Sequence, residues 1–250
     1  MFSNAGRTAS GIALTLCAML AWGQSQQETV RFIGEARSLD GSELLYTEKH
    51  EQTGSCEGPN WVPRAGRVRY RAPDGELIAQ KTIDYSPVPA RPSFVLEDYR
   101  FDERTEVRNP VDGTAHVTWR APDGEVTRHK TDIPDNGVID AGFEPMVHAR
   151  WDRLVNQGET SEVQFFAPTR GSFYAFEAES TSDERIDSAH VFRIRKTGWI
   201  SSWFIDALYL GFNRHRQLTD YLGRTNILKT PESNHVAHIH YSHLDPPPCQ

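Results

Sequence analysis

One fifteen-residue pattern occurs twice in this chain, and it restricts the fold more than any other feature. Val68 to Thr82 reads VRYRAPDGELIAQKT, and Val117 to Thr131 reads VTWRAPDGEVTRHKT. Nine of the fifteen positions are identical, at an offset of 49 residues. Each copy predicts a strand, a tight turn and a returning strand. Pro73 and Pro122 fix φ at the second turn position, and Gly75 and Gly124 supply the positive φ that closes a hairpin. Either a hairpin was duplicated or two hairpins converged on a common turn. The matching Val, aromatic, Arg, Lys and Thr positions outside the turn favour duplication. Both alternatives make the chain antiparallel β.

The flanking sequence extends that reading. Glu28 to Ser38 and Glu43 to Glu51 predict strands joined by a turn at Leu39-Asp40-Gly41-Ser42, and Cys56 to Arg67 reads as a loop. In the first hairpin, Val68 and Tyr70 share one face, as do Leu77, Ala79 and Ile83 on the return strand. Three prolines keep Ser86 to Pro92 out of a central strand. Further strands are expected at Ser93 to Asp102, Glu103 to Asn109, Glu162 to Ala167, Ser172 to Ser180, His190 to Lys196, Arg216 to Leu222 and His235 to Ser242. The apolar stretch Trp199 to Phe212 reads as a short helix or a strand pair, with Asp206 and the turn signals Gly211 and Asn213 favouring strands, and Pro246 to Pro248 as an exposed tail.

One segment departs from this alternation. Val147, Trp151, Leu154 and Val155 fall at i, i+4, i+7 and i+8, one face of a helix spanning about Glu144 to Gln157. Pro145 suits its first turn, and Gly158 the position just past its end. The expected fold is mainly β: a single strongly curved antiparallel sheet or open half-barrel over roughly residues 27–244, one covering α-helix, and a tail over 245–250. Six Trp, eight Tyr and twelve Phe supply its core, and a mean hydropathy of −0.58 fits strands with one polar face.

The first 23 residues read as an address. Met1 to Ser10 carry Arg7 and no acid, Gly11 to Trp22 are largely apolar, and Ala21 and Gly23 suit cleavage before Gln24. A retained anchor is the alternative, although the run is short for a bilayer. Leu16 stands where lipidation of Cys17 needs a small residue. Cleavage removes Arg7 and takes the net charge from −7 to −8. No later stretch predicts a transmembrane helix. The expected location is the periplasm, with secretion as the alternative. With no basic run among these charges, a nucleic-acid partner is not expected. The two cysteines left, Cys56 and Cys249, either pair in an oxidising compartment or remain free thiols. Pairing would close 193 residues, worth about 5 kcal/mol in the chain-entropy picture.

The C-terminal half carries a resemblance. HARWDRLV (His148 to Val155), VQFFAPTRGSFYAFE (Val163 to Glu177), FIDALYLGFNRHRQLTDYLGRTNI (Phe204 to Ile227) and VAHIHY (Val236 to Tyr241) are spread over roughly the last 110 residues. They resemble a group of uncharacterised exported bacterial β proteins, similar in turn to the curved half-barrels of periplasmic lipoprotein carriers. The resemblance implies a helix covering a concave sheet, with apolar matter held beneath it. It implies no activity and no cofactor.

Two chemistries follow from the residues. Trp199, Trp203, Phe204, Tyr209 and Phe212 crowd fourteen residues. They form sheet core or, with Trp151 opposite, line a chamber for a lipid or other apolar envelope ligand. His235, His238, His240 and His243 cluster near the C-terminus. In a strand His238 and His240 share a face, about 7 Å apart along it, a spacing from which two imidazoles can hold one metal ion or simply form a polar face. Nucleophilic catalysis finds no support: there is no GxSxG elbow, and Ser201-Ser202 has no identified base. The acids Glu177, Glu179, Asp183, Glu184 and Asp187 read as solvated charge, and no glycine loop for phosphate is present. The leading expectation is a non-enzymatic binding or carrier domain for an apolar envelope molecule. The alternatives are a metal-dependent enzyme using His238 and His240, or an assembly factor acting through a sheet edge.

Overall fold

The structure is a computed structural model that describes residues 1, 28–109, 112–197 and 207–249. The leader with Arg7 and Cys17, and the aromatic residues Trp199, Trp203 and Phe204, lie outside the described residues. Alternating burial sets each strand: in β1 (Glu28–Arg37), Val30, Phe32 and Ala36 point inward while their neighbours face solvent. β2 (Leu44–Glu57), β3 (Asn60–Arg71), β4 (Leu77–Asp84), β5 (Ser93–Asp98), β6 (Glu103–Arg108), β7 (Thr114–Arg120) and β8 (Val126–Asp132) follow as one antiparallel meander. A second wing contains β9 (Gly137–Val138), β10 (Ser161–Ala167), β11 (Ser172–Thr181), β12 (His190–Lys196), β13 (Leu208–Phe212), β14 (Leu218–Thr230) and β15 (Ser233–His243).

The wings join at a seam. β1 pairs antiparallel with β15, from Phe32 opposite His243 to Arg37 opposite His238. The result is one open, non-closed sheet of fifteen strands among the described residues, with β8 and β9 at its two edges. All neighbours are antiparallel except β9 and β10, which run parallel. The stretch expected as a loop at Cys56 to Arg67 is instead the β2–β3 hairpin: Cys56 opposes Trp61, and the turn is confined to Gly58-Pro59.

The sheet bends so that its wings share one interior. Tyr46, Val68, Tyr70, Phe94, Leu96 and Val107 from the first wing pack in one cluster with Ile139, Phe166, Ile227 and Ile239 from the second. Polar contacts cross the same space. Lys81 donates to Asp140 at 2.7 Å, and Asn226 donates to the other oxygen of that carboxylate at 2.6 Å. Arg100 reaches the Leu228 carbonyl at 2.7 Å, and Thr131 the Gly171 carbonyl at 2.7 Å. Gly142 lies against the Ala90 backbone so closely that a Cβ there would overlap the Ala90 carbonyl.

The helix is shorter than the apolar periodicity predicts. α1 (Phe143–Ala149) ends at Arg150, whose φ is −112°, and a π turn follows over Asp152–Asn156. The wider turn absorbs an extra residue and brings both Trp151 and Leu154 onto the sheet. They pack with Met146, Val147, Phe192 and Phe212 in a second cluster, where full burial of Leu154 contributes about 2 kcal/mol. The tail is not free either. Cys249 is buried against Val30 and Trp61 and forms a disulfide with Cys56, Cα atoms 5.6 Å apart. Asp245 accepts two bonds from the Arg31 guanidinium, at 2.8 and 3.1 Å.

Candidate metal centre

β14 and β15 lie in register with Asp220 opposite His240 and Leu222 opposite His238. Alternation puts these four residues on the outer face, while Tyr221, Ile239 and Tyr241 face the shared interior. The four histidines of β15 are therefore split. His238 and His240 are neighbours on the outer face, with ring centroids 4.1 Å apart. His235 and His243 point inward, His235 beside Tyr46 and His243 onto the Leu218 carbonyl at 2.7 Å.

The third member of the outer group is Asp220. Its Oδ1 lies 3.0 Å from His238 Nε2 and 2.7 Å from His240 Nδ1. All three donor atoms lie within 4.8 Å of one another. The other carboxylate oxygen is held from behind: Ser188 Oγ donates to Oδ2 at 2.6 Å and also lies 2.7 Å from Thr219 Oγ1. Burial works against ionisation of Asp220, but the bonds from His238 and Ser188 prevail and hold its carboxyl below the usual carboxylate range.

Local sequence explains this placement. Ser188 ends a polar loop pinned by Ile186, which is buried against Val191 and Leu222. The Asp183–Arg185 pair sits in the same loop, with the Arg185 guanidinium 5.4 Å from the Tyr209 ring. Gly211, opposite Asp220, leaves room for the contact, because a Cβ there would meet Ser188 Oγ and come within 2.9 Å of Asp220 Cβ. Exposure is graded across the site: the side chains are 5% exposed for Asp220, 12% for His238 and 57% for His240. Two imidazoles and one carboxylate make a donor set for zinc or another first-row ion, and exposure at His240 leaves coordination positions open.

The aromatic residues lie elsewhere. Trp151 packs edge-on against Phe192 at 5.5 Å and Phe212 at 5.7 Å, and these three side chains are buried core. Trp151 and Phe212 are in direct ring contact, while Trp199, Trp203 and Phe204, the rest of the expected lining, lie outside the described residues. Tyr209 is on the outer face with Arg185 and Ile186, away from Trp151. Among the acids, Glu177 pairs with Arg195, and Glu179 with Arg193 at 2.5 Å, forming a charged ladder between β11 and β12. Asp220 and Ser188 are not singled out by the sequence reading. The available signal is an Asp inside the apolar run Leu218 to Leu222, in a strand context where Asp is uncommon.

No family model, curated protein or solved structure matches this chain.

Proposed function

We propose that the protein is exported and binds one divalent transition-metal ion through Asp220, His238 and His240 on the outer face of β14 and β15. The observation that carries this reading is the convergence of those three donor atoms within 4.8 Å, with Ser188 bracing the carboxylate. In a tetrahedral zinc site, donor atoms lie about 2.0–2.2 Å from the metal, so the trio needs only small rotations to enclose an ion. Bracing of a liganding carboxylate is a common feature of real sites. The open side at His240 suits an ion that exchanges or carries water, unlike a closed structural site. Export is supported by the leader pattern of residues 1–23 and by the Cys56–Cys249 disulfide.

The other readings have less support. Carriage of an apolar envelope molecule rests on a lining of which Trp151, Tyr209 and Phe212 alone lie among the described residues, and Trp151 and Phe212 are in ring contact. Assembly through the β8 edge is opposed by exposed Arg128 and Lys130, charges of the kind that keep edge strands from pairing.

The test is calorimetric titration of the oxidised chain, lacking residues 1–23, with Zn²⁺ and Ni²⁺. One equivalent is expected to bind. His238→Ala or Asp220→Asn should abolish saturation, and Ser188→Ala should weaken affinity about tenfold. Metal affinity should fall as the pH is lowered, because liganding atoms must be free of protons. Absence of saturable binding, or affinity untouched by His238→Ala, refutes the proposal.

A further inference from the structure

A cluster of unmatched cations stands on the outer face of the first wing. On β3, Arg67, Arg69 and Arg71 alternate with the buried Val68 and Tyr70, so their side chains stand in one row, about 7 Å apart. Lys49 of β2 lies directly opposite Arg69. Like charges in that position repel, so the sheet gains nothing internally from placing them there. Arg67 and Lys49 are exposed and have no ion pair or hydrogen bond among the described residues. Arg71 is exposed and donates to the Gly75 carbonyl at 2.6 Å, which leaves its charge unmatched. One acid stands in the group: Glu51, opposite Arg67, lies 3.7 Å from the Arg69 guanidinium. Four cations thus share a single carboxylate.

Arginines on other strands are neutralised. Glu106 accepts from Arg104 at 2.6 Å and from Arg108 at 2.5 Å, and Arg31 pairs with Asp245 at 2.8 Å. The second copy of the hairpin makes the contrast sharper. Arg120, the counterpart of Arg71, donates to Asp102 at 2.6 Å, while His116 and Thr118 stand where the first copy has Arg67 and Arg69. The cluster therefore belongs to β2 and β3 and not to the repeat. In a chain of net charge −7 it is a place where an anion is drawn and not repelled. A row of guanidinium groups suits an extended polymer carrying carboxylates, because guanidinium grips a carboxylate with a two-point fork. Two features disfavour other polyanions. The nearby rings of Phe32, Tyr46, Tyr70 and Phe94 are buried, so nucleic-acid bases find none to stack on. Among the described residues, no exposed large apolar side chain lies on β2, β3 or β4 to anchor the face in a lipid surface.

We propose that the outer face of β2 and β3 binds an acidic polysaccharide, whose carboxylates pair with Arg67, Arg69, Arg71 and Lys49 while Glu51 limits the affinity.

The experiment is a calorimetric titration of the oxidised chain with polygalacturonate at pH 7 in 50 mM KCl, in chelator so that no divalent ion bridges a uronate to Asp220. Dextran, oligodeoxythymidylate and phosphatidylglycerol vesicles serve as comparison ligands. Saturable binding is expected with polygalacturonate and none with dextran. Raising KCl to 200 mM should weaken it about tenfold or more, as contact through several charges requires. Arg67→Gln combined with Arg69→Gln should weaken binding about 20-fold. Arg128→Gln combined with Lys130→Gln, the same loss of charge on β8, should leave it within about twofold. Glu51→Gln, which removes the one acid, should strengthen binding about threefold, and it reads the same face even if the β3 double variant does not fold. Three outcomes overturn the proposal: no saturation with polygalacturonate, an equal loss from the β8 variant, or tighter binding of oligodeoxythymidylate or vesicles, which gives the face a different partner. Because the metal titration is read on different residues, either proposal can fail without the other.

Discussion

The two copies of the repeated hairpin share a turn but not a fate. β3–β4 lies inside the first wing, flanked by β2 and β5, while β7–β8 ends the sheet. Near the turn both copies pair alike, Arg71 with Leu77 and Arg120 with Val126. One residue further on they diverge. In β7–β8, Trp119 faces Thr127 and the ladder continues without a break. In β3–β4, Tyr70 faces Ala79, so Ile78 is an extra residue, a β-bulge. That single insertion reverses every later side chain, because strand periodicity is two. Lys81 turns inward, its side chain only 5% exposed, and forms the ion pair with Asp140. Its counterpart Lys130 points to solvent. The threonines swap the other way: Thr82 is exposed, while Thr131 bonds Gly171 across the interior. Identical residues do different work because of a one-residue register difference outside their own positions.

Substitutions can break this comparison. The largest difference is expected at the aromatic pair. Tyr70→Ala empties a buried position and should cost about 4 kcal/mol, whereas Trp119→Ala, at a half-buried site bonded to Glu103, should cost about 2 kcal/mol. Urea unfolding of both variants reads the gap, and equal losses contradict the burial assignment. Next come the lysines. Lys81→Met leaves the Asp140 carboxylate without its cation and should lower stability by about 3 kcal/mol, while Lys130→Met should stay within about 0.5 kcal/mol of the parent. A Lys130 variant as damaging as the Lys81 variant would rule out the bulge. The smallest effects sharpen the comparison from the other side. Gly75 and Gly124 have φ of +92° and +86°, and a Cβ added at either would meet no atom within 4 Å. Gly75→Ala and Gly124→Ala should each cost about 1 kcal/mol, and thermal melts should show the same loss for both.

The turns, the strand character and the Val68–Tyr70 face were legible because each rests on local chemistry. The bulge was not. Leu77, Ala79 and Ile83 form a regular alternation in sequence, yet Leu77 sits opposite Arg71 and Ile78 takes an inward position. Packing in the sheet interior, which alternation does not encode, selects the irregular register. The metal centre shows the same division. His238 and His240 could be placed on one face from their spacing, but the addition of Asp220 depends on the β14–β15 register, and that of Ser188 on how the loop before β12 folds back. The helix was legible in position but not in form, since the π turn that brings Trp151 and Leu154 together is set by the sheet they meet.

The β1–β15 seam has a consequence in time. Strands β1 to β8 can pair with neighbours in sequence as the chain lengthens, but one edge of β1 must wait for the last strand. The interval from Asp132 to His243 takes roughly 10 s to synthesise at typical rates. Throughout it, the eight-stranded first wing has its β1 edge unpaired, with Val30 and Phe32 beside it. A growing chain of this kind is most vulnerable to wrong partners at β1, and pairing with β15 ends that exposure.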